Sequence, residues 1–240
     1  MLWKLNAAFP SLVWQVYDWF LVPNAGYYFM QNACEPVHIQ LNTKDLNVEY
    51  INRTYKPEKS LTALIEVFDK ESQSVFHYSE AVELSSTEVK ESLSLADVLK
   101  GNEGVSFVDL NLKDLHGNTV SHNFYWMAAN KDFKSLDDLP ASLVTVQVVD
   151  VSDRSNEKRW AFRFSNSSNR IAFFINPQLF SGDEEVAPSF WSDNYFTLAP
   201  NESVTATVGC PPEAVSDDTV VLKVSGWNVN ETVIPLITGK

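Results

Sequence analysis

Short segments of alternating apolar and polar residues recur along this chain from Val37 to its end, with turn-forming residues between them. In residues 108–113, for example, valine and leucine alternate with polar side chains. A period of two residues puts every second side chain on the same face of a β-strand. This pattern constrains the fold more than any other feature, and it predicts a mainly β protein.

The first series of segments predicts one β-sandwich of the immunoglobulin-like kind over residues 36–129. Residues 113–118 contain His-Gly-Asn between two of these segments, which favours a hairpin turn. The predicted strands are Val37–Leu41, Leu46–Asn52, Leu61–Phe68, Ser74–Leu84, Val105–Leu112 and Thr119–Ala128.

A second series predicts another sandwich over residues 141–240. The charged stretch 130–140, which ends in proline, is interpreted as the linker between them. The two halves are similar in plan but show no repeat in register, so we interpret them as two modules and not as a solenoid. The predicted strands are Leu143–Val151, Arg159–Ser165, Ile171–Asn176, Phe190–Leu198, Ser203–Val208 and Thr219–Val224.

The start of the chain differs, because its first thirty residues hold nine of the thirty aromatic side chains. They predict a short strand over Met1–Leu5 and a helix over residues 12–20, which ends before Pro23. A second helical stretch is predicted over Gly26–Ala33. An aromatic helix needs apolar surface to cover it, and short strands offer no internal partner. We therefore expect residues 1–35 to be the end of another domain.

The aromatic face of residues 1–35 is then covered by a sandwich, covered by a second copy of the chain, or left partly exposed. Self-association through these residues is accordingly a predicted interaction. Removing them as a block is expected to leave the sandwiches folded.

Net charge and hydropathy reduce the number of partner classes that the chain is expected to bind. The net charge of −13, from 18 Lys and Arg against 31 Asp and Glu, leaves no basic stripe for phosphates, so nucleic acid is not a predicted partner. No apolar run reaches the roughly 18 residues of a membrane span, because Asn6, Gln15, Asp18 and Asn24 interrupt the most apolar region. Met1 leads into neither a charged segment nor a cleavage site, so no export signal is visible.

The residues alone predict no chemistry. The four histidines fall on different predicted strands or turns, so no metal site is predicted. There is no Gly-x-Ser-x-Gly elbow and no glycine-rich phosphate loop, so no cofactor is expected. No residue is nominated as a catalytic acid or base. Paired carboxylates in loop-like stretches are interpreted as solvated charge, at Asp137/Asp138, Glu184/Glu185 and Asp217/Asp218.

Two other residue types invite interpretation. Cys34 and Cys210 lie far apart and are interpreted as free buried thiols. Asn-x-Ser/Thr sequons begin at Asn52, Asn166, Asn201 and Asn230. They act as glycosylation sites only in a secreted eukaryotic protein.

Several short motifs occur in one order along the chain. Near the start they are LWKLN (2–6), WQVYD (14–18) and CEPVH (34–38). Later ones are NFYW (123–126), RIAFF (170–174), SDNYF (192–196), LAPNE (198–202) and GWN (226–228). Together they resemble the end of the catalytic barrel, and the following immunoglobulin-like domains, of glycoside hydrolase family 2 enzymes of the exo-β-glucosaminidase and β-mannosidase type.

The resemblance implies two immunoglobulin-like β-sandwiches preceded by the last strand and helix of a (β/α)8 barrel. It also implies a retaining glycosidase as the parent, in which one glutamate protonates the leaving oxygen and another attacks the anomeric carbon. Both glutamates lie on earlier barrel strands in that family. The chain is therefore expected to lack them and to be inactive alone.

Of the family's active-site residues, the resemblance assigns only Trp3, as a sugar platform, and Asn6, as a nearby polar contact, in the intact parent. From the residues alone, Trp3 is also interpretable as an ordinary core tryptophan. The implied partners are the upstream barrel and, through the parent, a carbohydrate substrate. The compartment is not determined by the chain, and the resemblance implies a periplasmic or secreted parent.

Two alternatives stay open at this point. A free-standing carbohydrate-binding or adhesion module would be favoured by exposed aromatic rings at Trp191, Tyr195 or Trp227, whereas buried rings would favour a structural role. A complete small enzyme would require a polar pocket with convergent carboxylates.

Overall fold

The computed structural model describes residues 5–10, 15–101, 104–128, 131–154, 156–215 and 219–236. The chain is mainly β, as predicted, and all pairings between the strands below are antiparallel. Two α-helices occur in the described residues, α1 (Ala25–Ala33) and α2 (Ala96–Lys100). The strands are β1 (Val37–Leu41), β2 (Asn47–Asn52), β3 (Glu58–Phe68), β4 (Ser74–Leu84), β5 (Val89–Ser94), β6 (Val105–Lys113), β7 (Thr119–Ala128), β8 (Val144–Arg154), β9 (Glu157–Asn166), β10 (Ala172–Ser181), β11 (Glu184–Glu185), β12 (Phe190–Trp191), β13 (Phe196–Leu198), β14 (Ser203–Cys210), β15 (Val220–Gly226) and β16 (Val229–Leu236).

The chain divides into two compact units. Unit 1 consists of Met1–Phe29 together with Ala141–Lys240, and unit 2 consists of Met30–Pro140. This grouping joins the aromatic start of the chain to its C-terminal half. The predicted boundaries at residues 35, 129 and 140 stay predictions.

Unit 2 contains a four-stranded sheet in the order β4-β3-β6-β7 and a three-stranded sheet in the order β1-β2-β5. Alternate side chains from both sheets form one apolar core, with Ile39, Tyr50, Ile65 and Leu110 among its largest fully buried members. All six predicted strands are present. The sequence did not predict β5 or α2, whose alternation is weak and whose side chains are mostly exposed or half-buried.

Three alternate side chains of β7 satisfy the backbone of β1, which pairs with only one strand in its own sheet. The Ile39 N–H donates to Ser121 Oγ at 3.2 Å, and Asn123 Nδ2 donates to the Ile39 carbonyl at 2.7 Å. The Leu41 N–H donates to the Tyr125 hydroxyl at 3.2 Å. Buried backbone groups require such partners, so these side chains join the two sheets of unit 2 by hydrogen bonds.

Unit 1 contains a four-stranded sheet in the order β12-β14-β9-β8 and a second sheet in the order β11-β10-β15-β16, with β13 also paired to β10. As predicted, Trp160, Phe162 and Phe164 on β9 face inward and are buried, while Arg163 lies on the exposed face. The predicted strand Phe190–Leu198 is divided into β12 and β13. The sequence did not predict β16.

The prediction of a helix before Pro23 is wrong over the described residues 15–22, and residues 11–14 lie outside the described part. Here the Tyr17 N–H donates to the Leu5 carbonyl, and the Val22 N–H donates to Asp18 Oδ1 at 2.9 Å. Isolated short helices are marginal in water, and this aromatic stretch instead forms turns and single bridges. The second predicted helix is present as α1.

A five-residue loop after β2 is organised around one buried asparagine. Asn52 is 1% exposed, and its Nδ2 donates to the carbonyls of Lys56 at 2.7 Å and Ser85 at 2.9 Å. Its Oδ1 accepts from both the N–H and the hydroxyl of Thr54, at 2.9 and 2.8 Å. The side chain therefore uses its full hydrogen-bonding capacity inside the protein.

The same loop follows β9 in unit 1. Asn166 is also 1% exposed, and its Nδ2 donates to the carbonyls of Arg170 at 2.6 Å and Leu198 at 3.1 Å. Its Oδ1 accepts from the N–H and the hydroxyl of Ser168, at 3.0 and 2.7 Å. The residue types are NRTYK in unit 2 and NSSNR in unit 1.

The two units share a second feature, a glutamate that accepts hydrogen bonds beside each loop. Glu88 Oε2 and Glu202 Oε2 each accept from the backbone N–H three residues earlier, at 2.5 and 2.9 Å. The N–H groups of Asn52 and Asn166 donate to the carbonyls of these same two glutamates, at 2.8 and 2.9 Å. The two units thus share this local construction, and the interpretation that the halves show no repeat in register stays a prediction.

Both cysteines are free thiols, but only Cys210 is buried, whereas Cys34 is exposed. The expectation of two buried thiols is therefore wrong for Cys34. Burial raises the pKa of the Cys210 thiol to about 11, which keeps it protonated and unreactive at neutral pH. In the described part of the chain, neither helix has the length and apolar character that crossing a bilayer requires.

Candidate functional site

The two residues that the resemblance assigns to sugar contacts are not tested by the geometry. Trp3 lies outside the described residues. Asn6 is exposed, and its Nδ2 donates to the carbonyl of Ala7 at 3.1 Å. Both assignments stay predictions.

One concave feature of unit 1 is a cleft where β10, β11 and β12 meet α1 and the residues before it. Its empty space is about 230 Å³, part of which is open solvent. Its enclosed part is about 10 Å³, room for about one water molecule, whereas ligand pockets typically enclose about 300–1,000 Å³. Its lining includes Tyr28, Gln178, Glu185, Ser189, Trp191 and Tyr195.

Glu185 is the one carboxylate among the described residues that line this cleft. It lies on β11 opposite Phe180 of β10 and is half-buried, whereas the adjacent Glu184 is exposed. Burial raises the pKa of the Glu185 carboxyl, a hydrogen bond from Gln178 opposes this shift, and the negative charge of Asp18 adds to it. The interpretation of this glutamate pair as solvated loop charge is therefore wrong for Glu185.

Aromatic rings line the cleft and continue into the core of unit 1. The ring of Tyr28 lies 6.1 Å from that of Tyr195, which lies 5.3 Å from that of Phe174. Burial raises the pKa of both tyrosine hydroxyls. Tyr195 and Phe174 have φ angles of +55° and +57°, a strained conformation for bulky side chains that surrounding packing must hold in place.

Exposed aromatic rings favour a binding module and buried rings favour a structural role. The exposure of the three candidate rings gives a mixed result. Trp191 is 8% exposed and packs in the core of unit 1, with its ring 6.1 Å from Phe162. Tyr195 is half-buried against the same core. Trp227 is 55% exposed, with its ring 6.4 Å from that of Phe173. Only Trp227 offers a broad exposed face.

In unit 2, a serine, a histidine and a glutamate lie together without forming a catalytic triad. His38 is buried, and its Nδ1 lies 3.4 Å from both Glu35 Oε2 and Ser121 Oγ. A triad requires the acid and the nucleophile on different ring nitrogens. Ser121 is also buried and accepts a backbone N–H, so this cluster is structural.

Comparison with known families finds a match in the C-terminal half of the chain. The sequence model of a family described as the exo-β-D-glucosaminidase Ig-fold domain matches residues 123–229. Residues 123–229 are therefore similar to this Ig-fold domain. The matched region begins on β7 and ends at the first residue of β16.

Individual relatives extend the similarity beyond the Ig-fold domain. An exo-β-D-glucosaminidase from Arthroderma benhamiae is 30% identical over 97% of this chain, which covers 28% of that relative. A variant of the exo-chitosanase of Amycolatopsis orientalis, solved in complex with PNP-β-D-glucosamine, superposes with a TM-score of 0.89 at 22% identity, over 98% of this chain and 30% of that one. A β-D-mannosidase from Dictyoglomus thermophilum superposes with a TM-score of 0.66 at 18% identity, over 95% of this chain and 26% of that one.

These findings confirm the resemblance to exo-β-glucosaminidases. The two solved structures show that this chain shares their fold over at least 95% of its length. The chain spans about 28% of the length of the curated relative from Arthroderma benhamiae.

Proposed function

We propose that the chain is the non-catalytic C-terminal β-sandwich region of a retaining family 2 glycoside hydrolase of the exo-β-glucosaminidase and β-mannosidase type. The observation that carries the proposal is the alignment with an exo-β-D-glucosaminidase over 97% of this chain but 28% of the relative. The hydrolysis of O-glycosidic bonds would then belong to the remaining part of such a protein.

The cleft of unit 1 supports a non-catalytic role. Retaining glycosidases place two carboxyl groups about 5–5.5 Å apart on either side of the scissile bond. Glu185 is the single acid among the described residues that line the cleft, and the space beside it is smaller than a typical ligand pocket. The proposal therefore locates both catalytic glutamates in an upstream barrel.

The architecture favours the proposal that the sandwiches support the barrel structurally. Each unit packs two antiparallel sheets around one apolar core, as immunoglobulin-like sandwiches do. Residues 1–35 are proposed as the barrel end, and Tyr28 within them packs in the core of unit 1. In the intact parent, Trp3 and Asn6 would contact the carbohydrate, and the parent would be periplasmic or secreted.

The proposal is tested by assaying the purified chain with aryl β-glucosaminide, β-mannoside and β-galactoside substrates. We expect no turnover above the uncatalysed control, because the paired glutamates of a retaining enzyme are lacking. The informative variants are Glu185→Gln and the matched exposed control Glu184→Gln. Turnover that survives repurification and disappears only in Glu185→Gln would contradict the proposal.

The exposed face of Trp227 favours a second candidate, a free-standing carbohydrate-binding or adhesion module. It predicts saturable binding of mannan or galactan oligosaccharides, measured by titration calorimetry. Binding that is lost in Trp227→Ala, with an unchanged thermal unfolding curve, would establish this candidate. Phe190→Ala is the control, because Phe190 is also exposed on unit 1.

A further inference from the structure

The four sequons divide into two groups by exposure. Asn52 and Asn166 are each 1% exposed, whereas Asn201 and Asn230 lie at the surface. An N-linked oligosaccharide is bulky and hydrophilic, so a glycosylated asparagine must reach solvent. The structure therefore decides which of these asparagines can carry a glycan in the folded chain, and the sequence motif does not.

Both amide hydrogens of Asn52 are used inside unit 2. Its Nδ2 donates to the carbonyls of Lys56 at 2.7 Å and Ser85 at 2.9 Å. In glycan transfer, a bond forms between Nδ2 and the anomeric carbon of the first sugar. The bond from that carbon to the diphosphate of a lipid-linked donor breaks, and the amide gives up one proton. Glycosylated Asn52 would therefore lose one of its two hydrogen bonds and would place a sugar ring where a carbonyl group now lies.

The amide of Asn166 is enclosed in the same way in unit 1. Its Nδ2 lies 2.6 Å from the carbonyl oxygen of Arg170 and 3.1 Å from those of Leu198 and Ala199. Leu198 and Ala199 are themselves buried. A sugar bonded to this nitrogen would displace them and leave buried polar groups without partners, which costs free energy.

The third residue of each buried sequon is explained by the loop itself. The Thr54 hydroxyl donates to Asn52 Oδ1 at 2.8 Å, and the Ser168 hydroxyl donates to Asn166 Oδ1 at 2.7 Å. Asparagine, serine and threonine side chains commonly form local turns of this kind. The motif at these two positions therefore has a structural cause that does not involve glycosylation.

The other two sequons have room for a glycan. Asn230, Glu231 and Thr232 are all exposed on β16, which lies at the end of its sheet. Asn201 is exposed in the turn between β13 and β14. An oligosaccharide at either position would project from the surface of unit 1 into solvent.

We propose that all four sequons accept an N-linked oligosaccharide in the unfolded chain, and that only Asn201 and Asn230 retain one in the folded chain. A glycan on Asn166 prevents unit 1 from folding, and one on Asn52 prevents unit 2 from folding. Oligosaccharide transfer to a chain during its synthesis comes before folding, so the chain folds efficiently only where this transfer is absent. The proposal does not depend on the proposed function, because it concerns the fold and not the substrate of a parent enzyme.

The experiment secretes the full chain from yeast, whose export pathway contains the transferase and its lipid-linked donor. Protease-resistant secreted chain is separated from retained chain. Both fractions are treated with peptide N-glycosidase in heavy-oxygen water, which marks each formerly glycosylated asparagine for mass spectrometry. We expect marks on Asn201 and Asn230 alone in the folded fraction, and on Asn52 and Asn166 as well in the retained fraction.

Three results would overturn the proposal. The first is a mark on Asn52 or Asn166 in the folded fraction. The second is the absence of a mark at either of these positions in the retained fraction, and the third is the absence of marks on Asn201 and Asn230 in both fractions.

A double variant tests the buried pair separately. Asn201→Gln combined with Asn230→Gln removes both exposed sequons and leaves the two buried loops unchanged. Inhibiting synthesis of the lipid-linked donor should raise the secreted yield of folded chain from this variant severalfold, because only Asn52 and Asn166 remain to be modified. The control is the same variant made in the yeast cytosol, where the inhibitor should leave the yield unchanged. An equal effect in both compartments, or no effect on the secreted yield, would show that these sequons do not obstruct folding.

Discussion

At the scale of single residues, two of the four sequons prove to be structural. Asn52 and Asn166 are buried, and their amides hold the same loop in the two units. Asn201 and Asn230 are exposed and match the pattern only in sequence. A sequon motif by itself cannot separate these cases, because burial is decided by strands that are distant in the chain.

This difference gives a stability prediction. Asn166→Ala should lower the free energy of unfolding by about 3 kcal/mol or more, since several buried backbone groups lose their partner at once. Asn230→Ala, an exposed sequon position on β16, should change it by less than about 0.5 kcal/mol. Denaturant titration of both variants measures the difference. Equal effects would show that the loop around Asn166 is not held by its amide.

Trp160 carries the second prediction at this scale. Its side chain is buried, and its Nε1 has no hydrogen-bond partner among the residues that the structure describes. Trp160→Ala should cost about 3–5 kcal/mol by the transfer and cavity terms. Trp160→Phe should cost clearly less, because it removes an unsatisfied buried N–H whose desolvation costs about 1–3 kcal/mol.

The control for Trp160 is Arg163→Ala on the exposed face of the same strand. Arg163 Nη2 donates to Ser203 Oγ at 2.9 Å across that face. Its loss should cost about 0.5 kcal/mol, since exposed polar contacts contribute little. Chemical denaturation compares the three variants, and a Trp160→Phe cost as large as that of Trp160→Ala would refute the argument.

At the scale of elements, the two-residue strand β11 separates two adjacent glutamates. Alternation along a strand turns Glu185 toward the cleft and leaves Glu184 exposed. A two-residue strand is too short for its alternation to be recognised in the sequence. Its pairing with β10 is what decides which carboxylate is buried.

The burial of Glu185 predicts a pH dependence of stability. The folded-state pKa of Glu185 is raised above the unfolded value of about 4.3. The protonated carboxyl therefore contributes to the free energy of unfolding below about pH 4.3, and this contribution is lost as pH rises through the folded-state pKa. Glu185→Gln removes this loss. The unfolding free energy of the variant relative to the parent chain should therefore increase between about pH 4 and pH 7.

Denaturant unfolding at both pH values, with Glu184→Gln as the control, measures this change. Glu184 is the matched control because it is the adjacent residue of the same strand and is exposed. A flat difference between Glu185→Gln and the parent chain would show that Glu185 titrates normally.

At the scale of the whole molecule, the start of the chain carries exposed apolar side chains that are left unburied in the structure. They are Leu5, Phe9, Trp19, Phe20 and Leu21. Clusters of this kind mark interaction surfaces. The upstream barrel is the proposed partner, and self-association is the proposed alternative when the barrel is absent.

The expected effect of removing this segment depends on where the cut is made. The sequence suggests residues 1–35 as a removable block, but Tyr28 packs in the core of unit 1. Starting the chain at Ala25 should reduce self-association in analytical ultracentrifugation and keep a cooperative unfolding transition. Starting it at Pro36 should destabilise unit 1 by about 3–5 kcal/mol, because a buried aromatic side chain is lost.

The paired substitution Phe9→Ser and Phe20→Ser is the matched control, because it removes apolar surface without shortening the chain. It should reproduce the reduced self-association. Self-association that persists in this variant and in the chain starting at Ala25 would assign it to another surface.

The sequence by itself determined the mainly β fold, the position of most strands and the inward face of β9, because side-chain alternation is a local property of a strand. Ordered motifs also determined the resemblance to exo-β-glucosaminidases. Only the tertiary structure decided that the residues before Pro23 are not helical where they are described, that β16 completes a sheet, and that Asn52 and Asn166 occupy equivalent buried loops. Only the tertiary structure placed Glu185 in a cleft. Each of these depends on contacts between residues far apart in the chain, and no local pattern records which distant strand will cover a given side chain.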